Sequence, residues 1–514
     1  MASSVRIASN IPTEAEAPLG GPTSPRKPGV PLLPWSFVGM GVFISWLSLT
    51  HLRGGFVFVD GAGDAGTLVD YLMRVGDIGT LFACAVLANR IGRLSKHRSF
   101  CIVAVALGTL GTLLAPVALH LGSPALLAAA SVCAGAGGAV ALLLWAEAYS
   151  QIGPARCLVF GALSCMLAGV IAFVGSSMAY WRACLVIGLL LPASAIMAGV
   201  SLSRLPAAAQ PSSPVAETRR ASYPVPWKLV LLMALAGFAS GFAGSILSNN
   251  DAIGALHRIE ATALFGLLAL VLLFARRGDA DIRWLARCTL PLVVASLVLI
   301  PLAPPAGGVA VSFLVKYSYV AFALFALATL ANVCYRHDIP SLRVFASARA
   351  ASEAAMFAGI ILRRQMQASG AFGEAAMMWA VSVVGLVAVV ACVLLWHSER
   401  AVTSDWGATG IDPASGLQVK SARGLLFERL DDLSERCGLT PREKDVLTLL
   451  AQGHDYAEME DELFVSHNTL KTHVHHIYAK TGVHSRRELL ELFGTNPTSI
   501  NRRLATAVWP VHAG

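Results

Sequence analysis

Apolar runs of about 20 residues, separated by short polar breaks, fill the chain from Trp35 to Trp396. They begin near Leu33, Thr67, Ser99, Ser123, Cys157 and Arg182, and again near Trp227, Ile259, Leu285, Val309, Val344 and Ala375. A helix of that length satisfies its own backbone while crossing hydrocarbon, so the pattern predicts about twelve transmembrane helices in two six-helix halves. The period then changes. From Gly424 onward, apolar residues recur at helical spacing among acids and bases, the pattern of small amphipathic helices in water. The expected class is all-α, with a C-terminal four-helix module after the membrane region.

The boundaries that follow are a cytoplasmic tail at 1–31, a first half at 32–202, a linker at 203–226 and a second half at 227–397. A flexible linker at 398–421, a soluble domain at 422–494 and a tail at 495–514 complete the chain.

Composition sharpens this picture: 55% of the 514 residues are hydrophobic and only 14% charged. Soluble domains carry about 25% charged residues. With the N-terminus inside, about eighteen Lys and Arg fall in cytoplasmic loops and about five on the other side. The basic loops are Arg90/Arg93/Lys96/Arg98, Arg204/Arg219/Arg220 and Arg276/Arg277/Arg283/Arg287. An even number of helices then returns the C-terminus to the cytoplasm. The first thirty residues are polar and Pro-rich, so the first membrane helix is expected to act as the insertion signal. Ten scattered cysteines show neither zinc spacing nor a Cys-x-x-Cys pair, and read as buried thiols.

Ionisable residues within membrane helices are costly and mark internal pairs or sites. Asp70, Arg74 and Asp77 share one face of the second helix, at i, i+4 and i+7. Arg349 and Glu353 are at i, i+4 on the eleventh, and Asn249, Asn250 and Asp251 end the seventh. Lys316 and Glu147 lie near helix ends, and Trp145 beside Glu147 reads as packing. Two readings stand: ion pairs that hold helices together, or a small-molecule site in a central cavity formed by Asp70, Arg74, Asp77, Arg349 and Glu353.

Two six-helix halves joined by a long cytoplasmic linker resemble the major facilitator superfamily. Ala88-Asn89-Arg90-Ile91-Gly92-Arg93, between the second and third helices, is similar to that family's Asp-Arg-x-Gly-Arg loop, with Asn89 in place of the acid.

In the soluble region, Thr440-Pro441-Arg442-Glu443 is a capping box with Pro at the first helical position. Val446, Leu447 and Leu450 form an apolar stripe, and Gly453 ends the helix. A second helix is expected at Tyr456–Leu463 with Met459 and Leu463 inward, then a turn at Phe464-Val465 with Ser466 as the next cap. Leu470, Val474, Ile477 and Tyr478 make the third helix amphipathic, and Gly482 ends it. Ser485-Arg486-Arg487-Glu488 opens a fourth. The second and third helices form a helix-turn-helix.

LTPREKDVLTLLAQG followed by LFVSHNTLKTHVHHIYAKTGVHSRREL resembles the LuxR-type (NarL/FixJ-type) DNA-binding domain. The resemblance implies a transcriptional regulator that binds promoter DNA as a homodimer, with Leu489 and Leu490 on the dimerising fourth helix. Residues 439–492 hold six Lys/Arg and nine Asp/Glu, yet Ser466–Arg487 contains no acid. With Leu470, Val474 and Ile477 inward, Asn468, Lys471, Thr472 and His475 face outward as base-edge candidates. His473, Lys480 and Arg486 are candidates for phosphates.

No phosphate loop, nucleophile elbow, metal motif or receiver-type acid cluster is present, so neither an enzyme nor a cofactor or metal site is expected. The reading as a whole is a multi-pass protein of the bacterial inner membrane. It would sense a small-molecule ligand in the bilayer and control promoter binding. The alternative is a facilitator-type transporter with an autoregulatory DNA-binding tail.

Overall fold

The computed structural model describes residues 35–51, 64–205, 225–243, 254–275, 308–337, 339–370 and 422–494, with isolated residues between them. The polar stretch Asn249-Asn250-Asp251, the tails at 1–31 and 495–514 and nearly all of both linkers lie outside the described residues.

After a 3-10 turn at Trp35–Gly39, six helices make the first half. They are α1 (Met40–His51), α2 (Asp64–Ile91), α3 (Arg98–His120), α4 (Pro124–Tyr149), α5 (Pro154–Ser176) and α6 (Tyr180–Arg204). The second half holds α7 (Trp227–Ala243), α8 (Gly254–Ala275), α9 (Gly308–His337) and α10 (Ser341–Ala368). Helical residues at 292, 296 and 299, and through much of 376–390, stand where the ninth and twelfth predicted spans fall. Seven described helices are long and apolar enough to cross a membrane, and three shorter apolar ones accompany them. Leucine, isoleucine and phenylalanine side chains such as Phe82, Ile102, Leu189 and Ile196 are exposed on the outside of the bundle, as a lipid-facing surface requires.

Small residues let these helices approach closely. A Cβ added at Gly108 on α3 would lie 2.6 Å from the Gly137 Cα on α4. One added at Gly76 on α2 would collide with the Val132 carbonyl of α4.

The halves meet chiefly along α2 against α10 and α5 against α8. Contacts follow the first seam from end to end. Arg364 Nη2 donates to Thr67 Oγ1 at 2.8 Å, the Tyr71 and Phe357 rings meet edge-on at 5.1 Å, and Arg343 Nη1 donates to Asn89 Oδ1 at 3.5 Å. Asn89 therefore joins the two halves.

Five helices follow: α11 (Ala422–Arg436), α12 (Pro441–Gln452), α13 (Tyr456–Leu463), α14 (His467–Thr481) and α15 (Arg486–Gly494). Leu430, Leu447, Leu450, Met459, Leu470, Ile477 and Leu489 are fully buried in a core of their own. A two-residue antiparallel ladder, Gly410–Ile411 against Gln418–Val419, precedes them and departs from the otherwise all-α chain among the described residues.

The C-terminal helices rest on one end of the bundle. Arg336, in the last turn of α9, donates from Nη2 to both Asp431 oxygens at 2.7 and 2.9 Å. Arg156 at the start of α5 pairs with Glu462 at 2.8 Å.

A candidate nucleic-acid interface and a candidate ligand cavity

Local signals build the C-terminal helices as the sequence predicts. Thr440 Oγ1 accepts from the Glu443 N–H at 3.3 Å, and the Glu443 carboxylate accepts from the Thr440 N–H at 2.7 Å. Gly453 (φ 94°) and Gly482 (φ 68°) end α12 and α14 in the left-handed conformation that glycine adopts without strain. Asp455 caps α13 in a second reciprocal box with Glu458. At the turn, Phe464 takes φ 55°, unusual for an aromatic residue, and Ser466 then caps α14. The start of α15 departs from the reciprocal pattern: Ser485 accepts from the Glu488 N–H, while the Glu488 carboxylate accepts from the His484 N–H.

This turn presents α14 with Leu470, Val474 and Ile477 inward and Asn468, Lys471, Thr472 and His475 exposed. Thr472 Oγ1 donates to the Asn468 carbonyl at 2.9 Å, an intrahelical bond. His473 is half-buried.

Two of the phosphate candidates are engaged within the domain. Lys480 Nζ donates to Glu443 Oε2 at 2.7 Å and to the Gly438 carbonyl at 3.2 Å. Arg486 Nη2 donates to the Leu450 carbonyl at 3.1 Å. Burial raises the Glu443 carboxyl, but the hydrogen bonds from Lys480 and Thr440 outweigh it and hold the group below its ordinary value. Arg487, from the same basic run, has a side chain 90% exposed. Of the two leucines on α15, Leu489 is fully buried in the core while Leu490 is 38% exposed.

The five intramembrane candidates come together at the α2–α10 seam. Arg74 Nε donates to Asp70 Oδ2 at 3.3 Å, and Arg74 Nη1 donates to Glu353 Oε2 at 3.3 Å. Arg349 Nη2 donates to Glu353 Oε1 at 2.5 Å. Two guanidinium groups and two carboxylates therefore alternate in one chain. Asp77, one turn from Arg74, faces a cavity of about 380 Å³ whose wall also includes Arg74, Arg349 and Glu353.

Lys316, Tyr319 and Trp46 line the same cavity. Tyr319 and Trp46 had no charge pattern to reveal them, and Lys316 was visible only as an isolated intramembrane cation. The remaining candidates serve structure. Glu147 accepts from the Ser95 N–H at 3.0 Å, and Trp145 Nε1 donates to Ser194 Oγ at 2.8 Å. The eight described cysteines are free thiols, six of them buried. Cys288 and Cys392 lie outside the described residues.

Comparison with known proteins assigns the two regions separately. The profile of the bacterial regulatory proteins of the luxR family matches residues 438–493. An HTH-type transcriptional regulator of Mycobacterium tuberculosis is 43% identical over 96 residues, 19% of this chain and 10% of that protein. The nitrate/nitrite response regulator homologue of Haemophilus influenzae is 36% identical over 73 residues, 14% of this chain and 35% of the other. The chain thus spans about a tenth of the mycobacterial relative.

Over the helical bundle, a crystal structure of a bacterial homologue of the iron transporter ferroportin, in an outward-facing state with soaked iron, superposes with a TM-score of 0.51. It is 12% identical and covers 71% of this chain and 99% of its own. The major facilitator superfamily proton:xylose symporter XylE gives a TM-score of 0.49 at 12% identity, over 73% of this chain and 98% of its own. The likeness is one of fold.

Proposed function

From the premise of a LuxR-type DNA-binding domain carried on a facilitator-fold membrane bundle, we propose that this protein is a membrane-embedded transcriptional regulator. It senses a small molecule in the bundle and adjusts promoter binding through α14. In this reading the chain sits in the bacterial inner membrane with both ends in the cytoplasm, where the DNA is. Two copies pair through the exposed side of α15.

The observation that supports it best is the presentation of α14. Asn468, Lys471, Thr472 and His475 stay exposed although the same domain rests on the bundle through Asp431 and Glu462. A reading head free for DNA while docked needs no release from the membrane to reach a major groove. Chromatin immunoprecipitation of the full-length chain beside a Lys471→Ala/Thr472→Ala variant tests the reading. Discrete sites lost in the variant support it. Absence of enrichment for the unsubstituted chain, with protein present in the membrane, rejects it.

Arg74 and Glu353, charged groups of opposite halves meeting at a central cavity, favour one second reading: a facilitator-type carrier with a DNA-binding tail. Saturable uptake abolished by Asp70→Asn and Arg74→Gln would support the carrier.

A further inference from the structure

The C-terminal domain holds the bundle at two places, and the two places belong to different halves. On the first half, Arg156 Nη1 lies 2.8 Å from Glu462 Oε2 of α13. The same carboxylate sits against Gly153, the N-cap of α5, so closely that a Cβ there would collide with Glu462 Oε1. A carboxylate at the positive end of a helix dipole and beside an arginine is held by both.

On the second half, Arg336 at the end of α9 makes its two bonds to Asp431 of α11. Lys444 Nζ of α12 joins the same carboxylate at 2.7 Å. The Arg336 guanidinium lies 4.9 Å over the Phe427 ring, and the Tyr335 hydroxyl donates to Gln452 Oε1 at 3.4 Å.

The cavity lies between the halves these two contacts join. Arg74 and Asp77 of the first half and Arg349 and Glu353 of the second face it together. Facilitator-type bundles change state largely by rocking one half against the other around such a site. A small domain with its own close-packed core does not stretch to follow.

We propose that the DNA-binding domain is a strap across the two halves: it is fixed at both points while this end of the bundle is shut, and opening of the bundle toward the domain detaches it first at Glu462. The order follows from the contacts. Across the joint, the Asp431 place has a two-bond arginine contact, the Phe427 ring stacked on that arginine and the Tyr335–Gln452 bond, whereas Glu462 has only the first turn of α5 and one arginine that is itself 34% exposed. The domain would then swing about Asp431, still tethered but with α13 and α14 free to reorient. Occupancy of the cavity and freedom of the DNA-reading helix become two sides of one equilibrium, each biasing the other equally. This inference deepens the sensor reading and rests on it for its purpose, but its test contains no DNA and fails separately.

The experiment uses the full chain in lipid nanodiscs, read by amide hydrogen exchange of residues 456–463 and 424–436. A short bifunctional thiol reagent joins Asn89→Cys to Arg343→Cys, which holds the domain-bearing end shut. In a second variant it joins Thr67→Cys to Arg364→Cys, which holds the far end shut and leaves this end free to open. The unsubstituted chain treated with the same reagent sets the baseline. Unchanged exchange in the α12 core at 441–452 shows that both variants are folded.

The strap predicts slow exchange at 456–463 in the first variant and exchange faster by about tenfold in the second, with 424–436 changing less. Gly153→Val, which disturbs the contact from the bundle side, should raise exchange at 456–463 without cross-linking. Equal exchange at 456–463 in both locked forms overturns the proposal. So does a Gly153→Val chain that exchanges like the unsubstituted one.

Discussion

Arg74 on α2 and Glu353 on α10 are 279 residues apart in sequence and their charged atoms are 3.3 Å apart in the structure. Each also has a partner on its own helix, Asp70 for Arg74 and Arg349 for Glu353. These four groups thereby carry no net charge, and a single deletion strands a charge in a largely buried place. Glu353→Leu leaves Arg349 without its carboxylate, whereas Arg349→Leu/Glu353→Leu leaves the Arg74–Asp70 pair whole. The single variant should be less stable than the double by about 2–4 kcal/mol. Thermal unfolding in detergent measures this, and a double variant as unstable as the single would contradict it.

Gly76 and Gly79, one turn apart on α2, offer a matched pair. A Cβ at Gly76 meets the α4 backbone, while one at Gly79 has nothing within 4 Å. Gly76→Ala should lower the melting temperature, because backbone on α4 must move. Gly79→Ala should leave it unchanged or raise it slightly, by the helix preference of alanine over glycine of about 1 kcal/mol. Equal behaviour of the two variants would show that the α2–α4 crossing is looser than described.

The sequence made some of this legible and hid the rest for identifiable reasons. Helices α2 through α7 begin within a few residues of the positions marked by their apolar runs, since length and apolarity alone specify a span. The boxes at Thr440, the cap at Ser466 and the stops at Gly453 and Gly482 were readable because capping is a local matter of three or four residues. The Asp70–Arg74 and Arg349–Glu353 pairs were readable as i, i+4 neighbours. Their union was not, because nothing local relates residue 74 to residue 353. Nor does any local pattern mark Glu462, one of the acids of Asp455–Glu462, as the partner of Arg156 on the bundle. Lys480 read as a phosphate ligand by its position on α14, but its long side chain turns back to Glu443 instead.

Lys471 and Arg487 should separate base reading from backbone attraction. Lys471 stands on the outward face of α14, and Lys471→Ala is expected to lose about 1–3 kcal/mol of preference for the operator over random DNA. Arg487→Ala should weaken both alike and make binding less sensitive to salt. Gel-shift titrations at two salt concentrations distinguish them, and an undiminished operator preference in Lys471→Ala would remove that residue from the reading set.

Glu443 gives the domain a defined acid sensitivity. Its folded-state carboxyl lies below the ordinary value, through Lys480 and Thr440 acting against burial. The stability it confers is therefore present above about pH 4.3, the unfolded value, and lost as pH falls through the lowered folded one. At neutral pH, Glu443→Gln should destabilise residues 422–494, which have their own core, by about 1–2 kcal/mol. The difference should vanish toward pH 3. Urea unfolding of that fragment at both pH values measures it, and a pH-independent difference would mean that packing rather than charge is at work.

Leu490 projects from a domain seated on the ends of α5 and α9, and this changes the kind of concentration that governs pairing. In the pairing proposed above, two such copies would meet within the plane of the membrane, already aligned about its normal. Less translational and rotational freedom is lost than when partners meet in free solution. Their association then depends on copies per unit area of membrane, so a cell that enlarges its volume without enlarging its envelope leaves the pairing untouched. A modest rise in expression, by contrast, acts on it directly.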